Sequence, residues 1–354
     1  MEMHSSSDAF YEILTRVSLG NLMRQCKWVC KDWEKFTYET MFKLMHSQRT
    51  QTVSGYFIKS SERYDEYRYD FVTIVDHSPQ IIPSPSLDFL PRNTKIVASS
   101  NDGILCCVNN SNHRHPIYYI CKPTTHSWRM IPKPRTRFVT ESMAMVVRQS
   151  YPELYCKIIR LSRPKKGPGY HCEIFSSKEW AWKRLSDITL PYCVFIKLGG
   201  GIYVKRGFHW LTTDDRVFVF YVEEQIWTTF RLPEEHEVIQ KMNKKLIHFE
   251  GNIGVIFTSR NWMRLWILHD RQTNTWINKF NINLRWLHRK TKSRYSWVLD
   301  IYSNDIVLMR NNDEVIWYNC SNRTYITSRL PSKTTMIGEV YSFDSDLVPC
   351  SLRS

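Results

Sequence analysis

From residue 53 onward the sequence repeats one plan: a short apolar run, four or five polar residues, then an aromatic residue that opens another run. It reads IYYICKPTTHSW to Trp128, HCEIFSSKEWAW to Trp182, RVFVFYVEEQIW to Trp227, RLWILHDRQTNTW to Trp276 and EVIWYNCSNRTY to Tyr325. These aromatics stand 54, 45, 49 and 49 residues apart. Such a period, built from alternating short runs with no helical spacing of note, predicts a β-propeller rather than a sandwich. One unit alone is a small sheet with two uncovered faces, so neighbours must stack radially to bury them. A Trp recurring at one position is read as filler for the layer between blades.

The remaining strands follow from the same register. GILCCV (103–108), ELYCKIIRL (153–161), YVKRGFHWL (203–211), NIGVIF (252–257) and DIVLM (305–309) precede the repeats, and KIVAS, MAMVV, VFIKL, KLIHF and WVLDI precede those. This gives five full blades over 94–132, 142–190, 194–233, 245–283 and 295–331. Residues 53–93 offer only GYFIKS and YDFVTIVD, and GEVYSF (338–343) is an orphan near the C-terminus. Pairing the orphan with the partial blade completes a sixth and leaves no long exposed edge. The expected fold is mainly β: a short N-terminal helical module over 1–50, then a β-propeller of about six blades over 53–350, closed by the C-terminal strand.

The first fifty residues have a different texture. Phe10, Ile13, Leu14 and Val17 follow the i, i+3, i+4, i+7 spacing of one helical face. Leu22, Met23, Cys26, Val29, Cys30 and Trp33 repeat it, and Met41, Phe42, Leu44 and Met45 form a third run. Three helices this short make a very small core. The segment is therefore expected to need a partner to cover its remaining apolar surface; the alternative is an ordinary helical bundle packed on the main domain.

No run approaches the ~18 uninterrupted apolar residues of a membrane span, and MEMHSSSDAF lacks the basic and apolar regions of a secretory signal. The expected location is the cytoplasm and/or nucleus, with the ten scattered cysteines reduced and mostly buried. Cys26 and Cys30 lie one turn apart, but no second pair stands at zinc-site spacing, so packing rather than metal is expected there. The net charge of +15 is unevenly spread. Residues 1–50 hold seven Lys/Arg and six Asp/Glu, a net of +1, so nearly all the excess lies downstream.

Two resemblances join these parts. EILTRV, LMR, VCKDW and a later MF resemble the F-box of ubiquitin-ligase adaptors. The prolines usual around the first helix are replaced by Ser6 or Ser7 and by Ser18, and the stretch from Arg16 to Trp33 is one residue longer than common. Downstream, SSNDGILCC, YYICKPTTHSW, KIIRL, EIFSSKEWAW, GFHWL, IWTTFRLP, LWILHD and VYSFDSDLVP resemble, in order, the F-box-associated domain of plant F-box proteins. Asp102 stands where Asn-Gly is usual, and Lys122 where Asn precedes Pro. The kelch pattern fits less well, because only Gly199–Gly201 offers a paired glycine. The resemblance implies a non-catalytic substrate receptor that binds a Skp-type adaptor, and through it a cullin, while the propeller holds a target. By motif matching, Ile13, Leu14, Leu22, Val29 and Trp33 are expected to contact the adaptor.

Alternating turns of an antiparallel blade share one face of the ring. The longer loops, 109–116, 133–142, 163–170, 187–193, 212–215, 233–244, 260–263, 284–294 and 311–313, share the other. Together they carry fifteen Lys/Arg and eight Asp/Glu. Arg163, Lys165, Lys166, Arg289, Lys290, Lys292 and Arg294 are the candidates for capturing an acidic or phosphorylated target. A propeller enzyme is the second reading, but His209 and His269 lack carboxylates at telling spacing and no catalytic or metal motif occurs. No catalytic residue, metal or cofactor is therefore expected. Direct nucleic-acid or scaffold binding is a third reading, with basic residues beside Trp262 and Trp286.

Overall fold

The computed structural model describes all residues except 1–2, 64–65, 75–83, 101, 110–115, 166, 198, 235–242, 312–313, 331–338, 351 and 353–354. Lys166 and most of the loops 109–116, 233–244 and 311–313 lie outside the described residues.

The repeats fold into six sheets around one axis, a six-bladed β-propeller. Blade one is β3 (Thr94–Ser99), β4 (Leu105–Asn109), β5 (Ile117–Lys122) and β6 (Ser127–Ile131). Blade two is β7 (Thr140–Gln149), β8 (Tyr155–Ser162), β9 (His171–Ser176) and β10 (Ala181–Arg184). Blade three is β11 (Ile202–Val204), β12 (Gly207–Leu211), β13 (Arg216–Tyr221) and β14 (Ile226–Arg231). Blade four is β15 (Asn243–Phe249), β16 (Asn252–Thr258), β17 (Trp262–Asp270) and β18 (Thr275–Asn283). Blade five is β19 (Trp297–Ile301), β20 (Ile306–Asn311), β21 (Glu314–Asn319) and β22 (Tyr325–Arg329). The closing blade joins β1 (Val53–Arg63) and β2 (Glu66–Val72) to β23 (Val340–Ser345), in the order β2-β1-β23. β1 and β23 pair antiparallel from Val53↔Ser345 to Ile58↔Val340.

The core is divided among the gaps between blades, one apolar cluster to each gap. Ile158 and Phe175 of blade two meet Ile120 and Tyr118 of blade one. Ile159 and Cys172 meet Phe208 and Phe218 in the next gap. Val219 meets Val255, Ile256 meets Met309, Trp317 meets Tyr56, and Phe343 meets Ile96 around the rest of the ring. The recurring aromatics play a smaller part than expected. Trp182 is buried against Tyr118 and donates to the Pro132 carbonyl at 2.7 Å, and Trp276 rests on Phe230 of the preceding blade. Trp128 and Trp227, by contrast, are exposed on the outermost strands, with their rings beside Tyr119 and Phe218 of their own blades. The outermost strand has one neighbour, so its side chains are the last to be covered.

YVKRGFHWL is a tight hairpin rather than one strand. Lys205 and Arg206 both take positive φ, 44° and 68°, which is the two-residue turn that matches strand twist. The described part of VFIKL, 194–197, accordingly precedes the first strand of blade three and joins that blade through the isolated Ile196↔Thr212 bridge. A short helix, α5 (Arg285–Lys290), stands inside the basic loop 284–294, anchored by Leu284 and Leu287.

The N-terminal segment forms four helices instead of three: α1 (Met3–Leu14), α2 (Leu19–Arg24), α3 (Lys31–Phe36) and α4 (Thr40–Thr50). The middle run breaks because Gln25 (φ −120°, ψ −63°) and Cys30 (φ −155°, ψ 168°) leave helical geometry, with a 3₁₀ turn at Cys26–Trp28 between them. Leu14, Leu22 and Phe42 form its small core, with Tyr11, Val17 and Trp33 packed around them. Among the described residues no helix is long and apolar enough to cross a membrane.

Candidate functional site

The helices lie across the end of the ring that carries the turns between first and second strands, and they are stapled to four blades. Arg24 of α2 donates to Ser150 Oγ of blade two at 2.6 Å and pairs with Asp102 of blade one at 3.6 Å. Thr40 of α4 bonds Ser303 and Asp305 at 2.5 Å, and Lys43 Nζ donates to the Tyr302 carbonyl, both in blade five. The Asn304 amide donates to the Tyr38 carbonyl at 3.0 Å. In blade four, Gly251 (φ +74°) lies under α3, where an added Cβ would stand 2.8 Å from Glu34 Oε1 and 3.2 Å from the Tyr38 hydroxyl. The positive φ and this close approach favour glycine there.

The residues matched to adaptor contact divide by burial. Leu14 and Leu22 are 1% and 3% exposed inside the module's own core, so their role is to hold the helices together. Ile13 and Val29 are 58% and 64% exposed, and half-buried Trp33 packs 5.5 Å from Phe10. Phe10, Trp28 and Met41 are exposed as well, although motif matching passed over them. Cys26 is half-buried and packs against this small core, whereas Cys30 is exposed, against the packing expected of it. Six of the ten cysteines are buried.

The basic loop residues are exposed, but no described contact brings them together. Arg163 pairs with Glu141 at 2.6 Å and lies 4.7 Å over the Phe195 ring, between blades two and three. Lys165 is exposed nearby. Arg289 and Lys290 close α5, where positive charge suits the helix C-terminus, and Lys292 and Arg294 follow. Trp286 packs on Tyr325, and Trp262 is half-buried in β17. His209 is buried, with Nδ1 3.1 Å from the Gly207 carbonyl, and burial pushes it down to about 4; His269 is exposed. Among the described residues no cluster of His, Cys, Asp or Glu is arranged to hold a metal.

A cavity of about 1950 Å³ runs along the ring axis beneath the helices. Its walls are the first strands of the blades, and its roof is α2, the 3₁₀ turn, α3 and α4. Twelve Lys/Arg and six Asp/Glu line it, so it holds six of the chain's fifteen excess positive charges. Lys245 donates to the Leu299 carbonyl, and Ser54 donates to Asp344. Burial raises the Asp300 carboxyl, with Lys245 opposing the shift. Burial lowers Lys43, with Asp344 and Asp300 opposing. Burial pushes His248 down to about 3, and Lys27 and Lys43 add to that. The sequence carries these charges as ordinary polar positions of strands, so only ring closure shows that they face inward.

The ring and its helical roof define a rigid propeller with two free surfaces, an apolar helical one and a basic one of loops. The chain belongs to the F-box associated beta propeller domain family, which matches residues 44–331. It is similar to the F-box protein At5g49610 of Arabidopsis thaliana, with 24% identity over 369 aligned positions covering 97% of each chain. The F-box protein At5g41720 of the same plant is 33% identical over 172 positions, covering 46% of this chain and 89% of that one. Among solved structures, TolB from Acinetobacter baumannii aligns with a TM-score of 0.45 at 12% identity, covering 81% of this chain and 65% of that one. A mutant Aleuria aurantia lectin in complex with Fucalpha1-6GlcNAc aligns at 0.43 and 10% identity, covering 79% and 96%.

Proposed function

We propose that this protein is the substrate receptor of a Skp-cullin-F-box ubiquitin ligase, acting in the cytoplasm and/or nucleus. In this reading α1–α4 are the F-box that binds a Skp-type adaptor and through it a cullin, and the loop face of the propeller holds an acidic or phosphorylated target. The chain itself performs no bond chemistry. It raises the effective concentration of a target lysine near a conjugating enzyme carried by other subunits.

The observation that carries the reading is the exposure of large apolar side chains on the helices. Phe10, Ile13, Trp28, Val29 and Met41 stay in solvent although the module is already docked on the ring. Apolar surface left after docking supports a second partner. Leu14 belongs to the core, so the informative variant is Ile13→Asp with Val29→Asp, which leaves that core intact. Affinity purification of this variant is expected to lose adaptor and cullin while circular dichroism and thermal melting match the unaltered chain. Retention of the adaptor would refute the reading. In the same experiment, Lys290→Glu with Lys292→Glu and Arg294→Glu is expected to keep the adaptor and lose target.

A further inference from the structure

The cations of the axial cavity are not all compensated. Arg24 has Asp102, Lys197 and Lys244 share Asp215, and Lys279 lies 3.7 Å from Glu250. Lys27 has no hydrogen bond or ion pair among the described residues. Its ammonium lies 4.5 Å over the Tyr38 ring, and the residue is only 8% exposed. Burial pushes it down to about 8, with Glu34 opposing and Lys43 adding to the shift. Nearby, the Nε of Arg24 is buried with no hydrogen-bond partner among the described residues. At the mouth, Lys31 of α3 and Lys205 and Arg206 of the β11–β12 turn are exposed and lack ion pairs among the described residues. Cations therefore line a path from solvent to a buried ammonium that makes no ion pair among the described residues.

An unpaired buried cation is costly, and the cost falls when an anion arrives. We propose that the cavity between the helical roof and the ring binds a small phosphate-bearing polyanion, with Lys27 as its inner contact and Lys205 and Arg206 at its mouth. Phosphate oxygens accept several charge-assisted bonds at once, which suits ammonium and guanidinium groups converging from roof and walls. Neither Ile13 nor Val29 lines the cavity, so anion binding is tested separately from the ligase reading.

Inorganic tripolyphosphate titrated into the full chain by calorimetry is expected to saturate one site and to raise the melting temperature. Lys27→Met is expected to melt no lower than the unaltered chain without anion and to bind at least about tenfold more weakly. Lys205→Glu with Arg206→Glu, at exposed positions, tests the mouth without touching the interior and is expected to weaken binding as well. The loop variant Lys290→Glu with Lys292→Glu and Arg294→Glu is expected to bind as before. The proposal is overturned if binding does not saturate, if the Lys27 and Lys205/Arg206 variants bind normally, or if the loop variant alone loses the anion. An acidic peptide that saturates the cavity where tripolyphosphate does not would overturn it too.

Discussion

Asp102 and Lys122 each make an ion pair that joins separate parts of the chain. Asp102 stands in a first-to-second strand turn and receives Arg24 of the helices. Lys122 is 1% exposed, pairs with Asp346 at 2.5 Å and donates to the Val348 carbonyl at 2.7 Å, tying blade one to the segment after β23. A third pair works inside one blade. Arg160 and Glu173 are both buried and bonded to each other. Arg160 also donates to Thr140 Oγ1 at 2.7 Å and Thr136 Oγ1 at 2.9 Å, while Glu173 receives the Thr136 amide at 3.0 Å. The pair thus fixes residues 136–140, part of the loop face. Arg160→Met is expected to lower the unfolding free energy by about 3–5 kcal/mol, because Glu173 is left buried and unpaired. Adding Glu173→Met should recover much of that loss, and denaturant midpoints of the three proteins would separate the cases.

At the scale of elements, Gly251 joins roof and ring. Gly251→Ala places a Cβ against Glu34 at positive φ, and a loss of about 1–2 kcal/mol is expected. Limited proteolysis should then cut within α3 and α4 sooner than within the blades; equal rates would show that the roof is held elsewhere. Elements whose pattern is local were legible in the sequence. The spaced aromatics and alternating runs gave blades one, two, four and five close to their observed strands, and GEVYSF as the closing partner of the first strands. Blade three was misread because Lys205 and Arg206 adopt a turn normally signalled by Asn or Gly. α5 was hidden because six residues carry too little periodicity to be seen. The helical break at Gln25–Cys30 escaped for a related reason: the spacing of Leu22, Cys26, Val29 and Trp33 continues through it. The cavity was invisible because no local pattern says which polar positions of a strand turn toward an axis.

For the molecule as a whole, stability rests on six apolar gaps in a closed circuit, so opening one exposes the apolar faces of two blades. β23 is where the circuit closes. It places Phe343 against Phe57 and Phe71 and pairs with β1 over six residues. Removal of residues 339–354 is expected to leave β1 as an unpaired edge and give an aggregating product, seen as early elution in size-exclusion chromatography. A monomeric, cooperatively melting product would show that the ring holds without its last strand. The same arrangement orders events during synthesis. Blades can form as the chain emerges, and α1–α4 can find their docking turns one by one, yet β1 keeps an open edge until β23 is free to pair with it. A copy cut short before β23 carries five full blades and an incomplete sixth, with no closure. Closure of the ring is thus a physical condition that any chain lacking β23 fails.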